Sequence, residues 1–443
     1  MASGGVASGG VVSGGVASGG VVAGGGVSGG VASGGVASGG VASGGVVAGG
    51  AYRVRPAWAE VDLAAVRHNA SVLASLAGPA RLCAVVKAGG YGHGAVEVAR
   101  AALAGGAAWL AVALVEEGRE LRAAGIAAPV LILSEPPPEA MVEVVEAGLT
   151  PTIYTDQALV ALGRAIAGSG TGRPVPVHVK VDTGMHRVGA TPDDAIRLAA
   201  EVAGDPRLDL EGFWTHLAVS DETANPYNRA QLDCFDAALS RLEQVGVRPR
   251  VRHASNSGAT LWHPEGRYDM VRCGIALYGL SPASPGGSAG DVPDLRPAMS
   301  FRARVSFVKE VAAGERLSYG LRYQLDTDSV VATVPLGYAD GVPRRLASMG
   351  ATVLIGGQRR PLAGTVTMDQ ILVDCGPVDC QPGPGVRAGD EVVLIGRQGS
   401  ESIDAWDWAD RTDTIAYEVV CGISGRVPRV YLDGSWPADP TGV

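Results

Sequence analysis

Cysteine is scarce and scattered in this sequence. The six residues, Cys83, Cys234, Cys273, Cys375, Cys380 and Cys421, form no Cys-x-x-Cys pair and no dense framework. That spacing excludes a disulfide-stapled secreted scaffold and points to a reducing compartment. Long hydrophobic runs are missing as well: the longest apolar stretch beyond the first 50 residues, near 106–115, is about half of the roughly 20 residues a membrane span requires. No basic segment with a Leu-rich core opens the chain, so the N-terminus does not read as a signal peptide. The expected location is the cytoplasm, with no membrane partner. Positive charge is not in excess either. The 36 Lys and Arg against 45 Asp and Glu leave a formal charge of −9 and a pI near 5.4. A nucleic-acid surface normally needs clustered cations, so no nucleic-acid partner is expected, whereas a small metabolite, anionic ones included, stays open.

What is present divides the chain in two. After Met1 the first 50 residues contain only Ala, Ser, Gly and Val, repeating Val-Ala-Ser-Gly-Gly with slips of one residue. Nothing there has the side-chain volume to offset the entropy of folding, so residues 1–50 read as a low-complexity coil. An elastin-like role and a translated repeat upstream of a start near Val54 are the alternatives. The other 393 residues suggest about two domains. From Trp58 onward short apolar runs alternate with Ala-rich segments of 3.6-residue period, the pattern of repeated βα units. Strands are expected at 82–87, 109–113, 130–133, 150–154, 175–182, 208–215, 251–254 and 270–272, with helices between most of them. Eight parallel strands in about 230 residues fit a closed barrel better than an open sheet. After a Pro, Gly and Ser-rich loop at 281–297 the helical period disappears, and short strands, among them one over 301–311, predict a mainly β domain. The expected fold class is α/β: an N-terminal (β/α)8 TIM barrel at 51–290 and a C-terminal mainly β domain at 291–443. The stretch 58–63 precedes the first helix and could return to the β domain as an extra strand.

In such a barrel reactive groups sit where strands end at the C-terminal face. Lys87 closes the first buried strand, Cys83-Ala84-Val85-Val86-Lys87. A buried amine is costly unless neutralised or bonded, and a Schiff base with a carbonyl cofactor does this; snorkelling into the barrel mouth is the plain alternative.

The segment Ala84-Val85-Val86-Lys87-Ala88 followed by Tyr91-Gly92-His93-Gly94 resembles the pyridoxal-phosphate (PLP) lysine segment of the alanine racemases. Further segments match that family in order: Lys180 to Gly189, Thr215 to Ala218, Asn256-Ser257, Arg272 to Ile275, Ser318 to Gly320, Gly337 to Gly341, Met368 to Gln370 and Ala416 to Glu418. Together they run from about Trp58 to Tyr431. The resemblance implies an isomerase that interconverts L- and D-alanine, supplying D-alanine for peptidoglycan, with PLP as cofactor and no metal. It implies a homodimer with shared active sites, in which Lys87 and Tyr319 of the partner subunit are the two catalytic bases. Racemisation needs one base on each face of Cα. A tyrosine must then be biased toward its phenolate, and the resemblance assigns that to His216 with an Arg beyond it.

By the same resemblance Arg272 faces the pyridine nitrogen. An arginine can only donate a hydrogen bond, so that nitrogen stays unprotonated. Tyr91, Ser257, Tyr417 and the N–H groups of Gly274 and Ile275 are implied to hold the phosphate, with Asn256 as a further candidate. Arg187, Met368 and Tyr338 are implied around the substrate, and Lys180 as an N-carboxylated lysine that orients Arg187. The sequence departs from the family in reading Ala-Gly-Gly after Lys87 where Ala-Asn-Ala is common, which predicts a looser loop, and in placing Thr367 where Cys is frequent. Alternatives are a racemase of serine or of broader range, a non-catalytic PLP carrier, which would lack the second domain and the Tyr319 segment, and a decarboxylase, which Arg272 opposes.

Overall fold

The computed structural model describes residues 55–433 except 171, 285–289 and 381–384; the repetitive segment 1–50 lies outside the described residues. The first strand, β1 (Ala57–Asp62), does not enter the barrel. Asp62 ends it and caps the following helix, Leu63–Ala77, by accepting from Ala65 N at 3.0 Å. That helix buries Val66, Ala70, Leu73 and Ala77, spaced three and four apart, so that one stripe faces the core.

Eight strands then follow in the βα pattern: β2 (Arg81–Val85), β3 (Trp109–Val112), β4 (Val130–Ile132), β5 (Thr152–Ile153), β6 (Val175–Lys180), β7 (Leu208–Trp214), β8 (Val251–His253) and β9 (Met270–Cys273). All neighbours are parallel, in the orders β4-β3-β2-β9 and β5-β6-β7-β8. A parallel bridge between Leu131 and Thr150 joins the two sets on one side. On the other side Asp269 N donates to Arg252 O and Arg272 N to Ser255 O, each at 3.0 Å. The eight strands therefore close into the expected barrel, which leaves the strand ends at one rim for the site.

The C-terminal part comprises β10 (Met299–Arg304), β11 (Phe307–Val311), β12 (Arg316–Leu317), β13 (Tyr323–Gln324), β14 (Ser329–Val334), β15 (Thr352–Ile355), β16 (Gln358–Pro361), β17 (Ile371–Pro377), β18 (Glu391–Gln398), β19 (Glu401–Ile403) and β20 (Arg429–Leu432). Its main sheet runs β16-β15-β18-β10-β1-β20, with β19 on β18. Thus β1 does return to this sheet, antiparallel to β10 and parallel to β20.

Two expectations need correction. The stretch 301–311 is two strands in different sheets, because Val305 N bonds Asp390 O at 2.9 Å and Ser306 N bonds Thr333 O at 2.8 Å, which switches the chain between partners. Helical structure also returns, at Ala405–Thr412 and Ala416–Gly422. Two turns are too short for a 3.6-residue period to stand out in sequence. One apolar core is shared by β2, β3, β4, β9 and the C-terminal sheet, and a second lies between the outward faces of β6 and β7 and the helices Asp156–Ser169, Pro192–Gly204 and Tyr227–Gln244. The first holds the helix of Tyr417 against the strand that ends at Lys87.

Candidate active site

Beyond β2 the chain makes an uncommon turn. Ala88, Gly89, Gly90 and Tyr91 are consecutively left-handed, at φ 53°, 59°, 63° and 51°. Gly90 N to Val86 O at 2.8 Å and Gly92 N to Ala88 O at 3.0 Å close it, and the Glu117 carboxylate accepts from Ala88 N, Ala113 N and Leu114 N. An L-residue with a Cβ pays about 1–2 kcal/mol in this region, a glycine almost nothing. Gly89-Gly90 therefore makes a tight, low-strain turn rather than the looser loop expected from sequence. The turn fixes the exit of Lys87 from the strand and buries Tyr91 behind it.

The Lys87 amine has no hydrogen-bond or ion-pair partner among the described residues. Burial, and then the charge of Arg187, push its pKa below the ordinary lysine value, with Glu117 and Cys421 opposing. Lys180, at the end of β6, lies with its Nζ 4.5 Å from the Trp214 ring centre. Burial, followed by Arg272 and Arg187, brings its pKa down to about 7. The rim is therefore lined by basic groups, two of them amines whose charge burial and neighbouring guanidiniums disfavour, which suits a ligand carrying phosphate and carboxylate charge.

Arg272, on β9, is buried against the same indole, its Cζ 4.6 Å from the ring centre. Its Nη1 donates to His253 Nδ1 at 2.8 Å. Its Nη2 reaches Thr215 O and Ala254 O at 2.9 Å and His216 Nδ1 at 3.2 Å. A guanidinium has no lone pair to offer, so both imidazoles must present a bare Nδ1 and carry their proton on Nε2. His253 Nε2–H then donates to His178 Nδ1 at 2.9 Å, and the His178 Nε2–H points toward Glu211 Oε2 at 3.6 Å. Gly212 makes room for this chain, since a Cβ there would lie 2.4 Å from His178 Nδ1. Burial, before any neighbouring charge, lowers the pKa values of His178, His216 and His253. Burial brings Arg272 down to about 10, still a cation at neutral pH. The sequence reading named neither Trp214, His178 nor His253. The available signal was a polar or large residue facing inward within otherwise apolar barrel strands.

At the same rim, in the loops after β8 and β9, Ser257 Oγ accepts from Gly274 N at 2.9 Å and Ala276 N at 3.4 Å. Gly274 has to be glycine: a Cβ would sit 2.3 Å from the Tyr91 hydroxyl. Ile275 opens the short turn to Tyr278 and is buried. Tyr91 and Tyr417 lie 6.3 Å apart by ring centres, and neither hydroxyl has a partner among the described residues. Burial raises the pKa of both, so they stay protonated donors. Asn256 is differently employed. Its Oδ1 accepts from Ala259 N at 3.0 Å and Ser220 Oγ at 2.7 Å, capping the helix Ser257–Trp262.

Arg187 stands exposed in the loop after β6, which Asp182 shapes by accepting from Gly184 N and His186 N. Lys87, Tyr91, Lys180, Arg187, His216, Ser257, Arg272, Gly274, Ile275 and Tyr417 thus gather at one end of the barrel. Tyr319, Tyr338 and Met368 lie outside that set. They stand on three loops stitched together by Ser318 Oγ to Thr365 O at 2.7 Å, Thr365 Oγ1 to Tyr319 O at 2.7 Å and Ala339 N to Met368 O at 3.1 Å. Tyr319 is 76 % exposed and Met368 52 %.

Comparison with known proteins gives the chain a family. The family model for the alanine racemase N-terminal domain matches residues 61–282, and that for the alanine racemase C-terminal domain matches 298–431. The chain is 51 % identical over 378 residues to the alanine racemase of Symbiobacterium thermophilum, covering 85 % of this chain and 97 % of that protein. It is 46 % identical over 381 residues to that of Thermobifida fusca, covering 85 % and 98 %. Among solved structures, the alanine racemase of D-cycloserine-producing Streptomyces lavendulae superposes with a TM-score of 0.79 at 42 % identity, over 86 % of this chain and 98 % of that one. The Bacillus anthracis alanine racemase with bound L-Ala-P gives 0.78 at 37 %, over 87 % and 97 %. Among the described residues no helix is long and apolar enough to cross a membrane, and no cluster of His, Cys, Asp and Glu could hold a metal. The chain belongs to the alanine racemase family, isomerases that interconvert L- and D-alanine.

Proposed function

We propose that Lys87 and Tyr319 are the two bases of this racemase, that PLP is its cofactor, and that the active unit is a cytoplasmic homodimer. The observation that carries the reading is the Lys87 amine, half-buried at a strand end, without a partner and with a lowered pKa. The lowered pKa favours the unprotonated form, which is both the nucleophile a carbonyl cofactor needs and a base for an α-proton. PLP bound there supplies the electron sink that acidifies Cα. The residues around Lys87 fit that group: two unpartnered phenol donors and the Ser257 loop at one end, and a donor-only Arg272 at the other.

The second base comes from the opposite face. Tyr319 stands exposed beside Leu321, Met368 and Tyr338, an uncovered surface that supports docking against a second copy. His216, held by Arg272 through Nδ1, keeps an Nε2–H free to donate. A donor at a phenol oxygen favours the phenolate, so the same bond that fixes His216 biases the partner's Tyr319 toward basicity. Arg187 binds the substrate carboxylate. A pKa near 7 leaves much of Lys180 neutral at physiological pH. Its amine can then take up carbon dioxide, forming an N–C bond and releasing one proton. The resulting carbamate turns a like-charge neighbour of Arg187 into an anionic acceptor.

Lys87, Lys180 and Lys309 are the only lysines in the chain. Borohydride reduction of the PLP-loaded protein followed by peptide mapping is expected to find the pyridoxyl group on Lys87. Recovery on Lys180 or Lys309 would overturn the assignment.

A further inference from the structure

Behind the cofactor seat, between the barrel and the C-terminal sheet, lies a cavity of about 320 Å³. Its barrel wall is His93 and Tyr278; its far wall is β18, the start of the helix Ala405–Thr412 and Val420. His93 is fully buried, and its Nδ1 meets Tyr91 O at 2.9 Å. A carbonyl oxygen only accepts, so the proton is on Nδ1 and Nε2 presents a lone pair. That lone pair has no partner among the described residues. Burial holds the ring neutral, with a pKa pushed down to about 4. At the rim the Arg397 guanidinium is exposed and takes part in no hydrogen bond or ion pair among the described residues. Leu280, Pro297, Met299, Ile395 and Ile403 supply the apolar part of the lining, Ser300 and Ser402 add hydroxyls, and Asp404, also in the lining, has its Oδ1 engaged as the cap of the helix Ala405–Thr412 by Asp407 N.

A single water could donate to His93 Nε2, but it would leave the apolar wall and the cation unused, in a space with room for roughly ten waters. The complement to an acceptor at the back, an apolar middle and a cation at the mouth is an organic acid with an apolar body and one N–H or O–H donor. We propose that this cavity binds such a small organic acid and that its occupancy is felt at the cofactor seat. The coupling is physical contact. His93 and Tyr278 lie 4.5 Å apart by ring centres, Tyr278 and Tyr91 4.9 Å, and the Tyr278 hydroxyl donates to Val85 O at 3.0 Å, two residues before Lys87. Val420 sits three residues beyond Tyr417 on the same short helix. An occupant therefore touches the residues that back the phosphate-holding tyrosines without entering the space in front of Lys87. Binding itself does not depend on the racemase reading; the effect on the cofactor does.

The test uses PLP-loaded full-length protein and N-acetyl-L-leucine as probe. The probe has a carboxylate, an amide N–H and a branched apolar side chain, and its acylated nitrogen cannot condense with a carbonyl. Titration calorimetry is expected to give saturable binding, one probe per chain, with a dissociation constant below about 1 mM. Arg397→Ala, a surface change, should weaken binding about tenfold. Ala405→Leu, which fills the cavity, should abolish it while leaving kcat/KM for L-alanine within about twofold; Arg397→Ala keeps the test decisive if that variant folds poorly. Occupancy should also change the rate of PLP dissociation at least about twofold. No saturation up to about 10 mM probe, binding indifferent to Arg397→Ala, or displacement of the probe by alanine would overturn the site. Tight binding with an unchanged PLP dissociation rate would overturn the coupling.

Discussion

The Arg272 guanidinium donates to His253 Nδ1 at 2.8 Å, and that bond sets the proton on His253 and, through it, on His178. Because arginine can only donate, His253 must carry its proton on Nε2 and His178 must accept it. His253→Phe keeps a ring to stack on Trp214, 5.3 Å away, but removes both hydrogen-bonding nitrogens. It strands a buried guanidinium N–H and the His178 Nδ1, each worth about 1–3 kcal/mol. Urea unfolding should show a loss of roughly 2–4 kcal/mol, with partial recovery in His253→Gln. A loss within about 0.5 kcal/mol for His253→Phe would contradict the chain of donors.

Three buried histidines and the partly buried His216 make the fold acid-sensitive. The folded-state values of His93, His178, His216 and His253 are all lowered, by burial first. Below pH about 6.5 the unfolded chain takes up protons that the folded chain refuses, so stability falls as pH drops through that value toward the folded ones. His93, with a folded value of about 4, accounts alone for about 3 kcal/mol by that pH. Urea midpoints measured from pH about 7.5 to about 4.5 should decline steadily below about 6.5. A flat profile would show that these rings are charged or solvated in the folded state.

The glycine pair after Lys87 predicts two opposite outcomes. Gly90→Ala puts a side chain at φ 63° with its Cβ 3.2 Å from Ala95 N and Cα, and should cost about 1–2 kcal/mol. Gly89→Asn meets nothing within 4 Å and uses a residue that tolerates the left-handed region, so it should stay within about 0.5 kcal/mol of the parent. Thermal melts of the two PLP-free variants separate them; equal losses would contradict the left-handed turn.

The features legible in the sequence were those written over short distances. Eight βα periods, the Lys87 segment and the order of the later segments announced the barrel, the β domain and most of the gathered residues. The chain Arg272, His253, His178 and Glu211 was not legible, because each residue sits on a different strand and only barrel closure brings them to 3–4 Å. Gly212 is intelligible only beside His178, and Ala-Gly-Gly only once its φ angles are known. Asn256 looked like a ligand for its position beside Ser257, yet its side chain is spent on a helix cap.

Shared sites predict complementation. Lys87→Ala and Tyr319→Ala protomers, each inactive, should regain part of the activity when mixed, because one of the two mixed-dimer sites has both bases intact. Mixed dimers that form yet remain as inactive as either parent would contradict the partner's Tyr319 as second base.

The assignment of one base to each face is tested most directly by exchange of the α-proton with solvent deuterium in Tyr319→Phe, followed by NMR for each enantiomer. The variant removes the phenol and keeps the ring, so racemisation should collapse in both directions, each of which needs an acceptor and a donor. Lys87, with several protons on its amine, can still remove and return one on its own face. Residual exchange should therefore favour D-alanine over L-alanine. Equal exchange of the two enantiomers, or a preference for L-alanine, would contradict Lys87 and Tyr319 as the bases on the assigned faces.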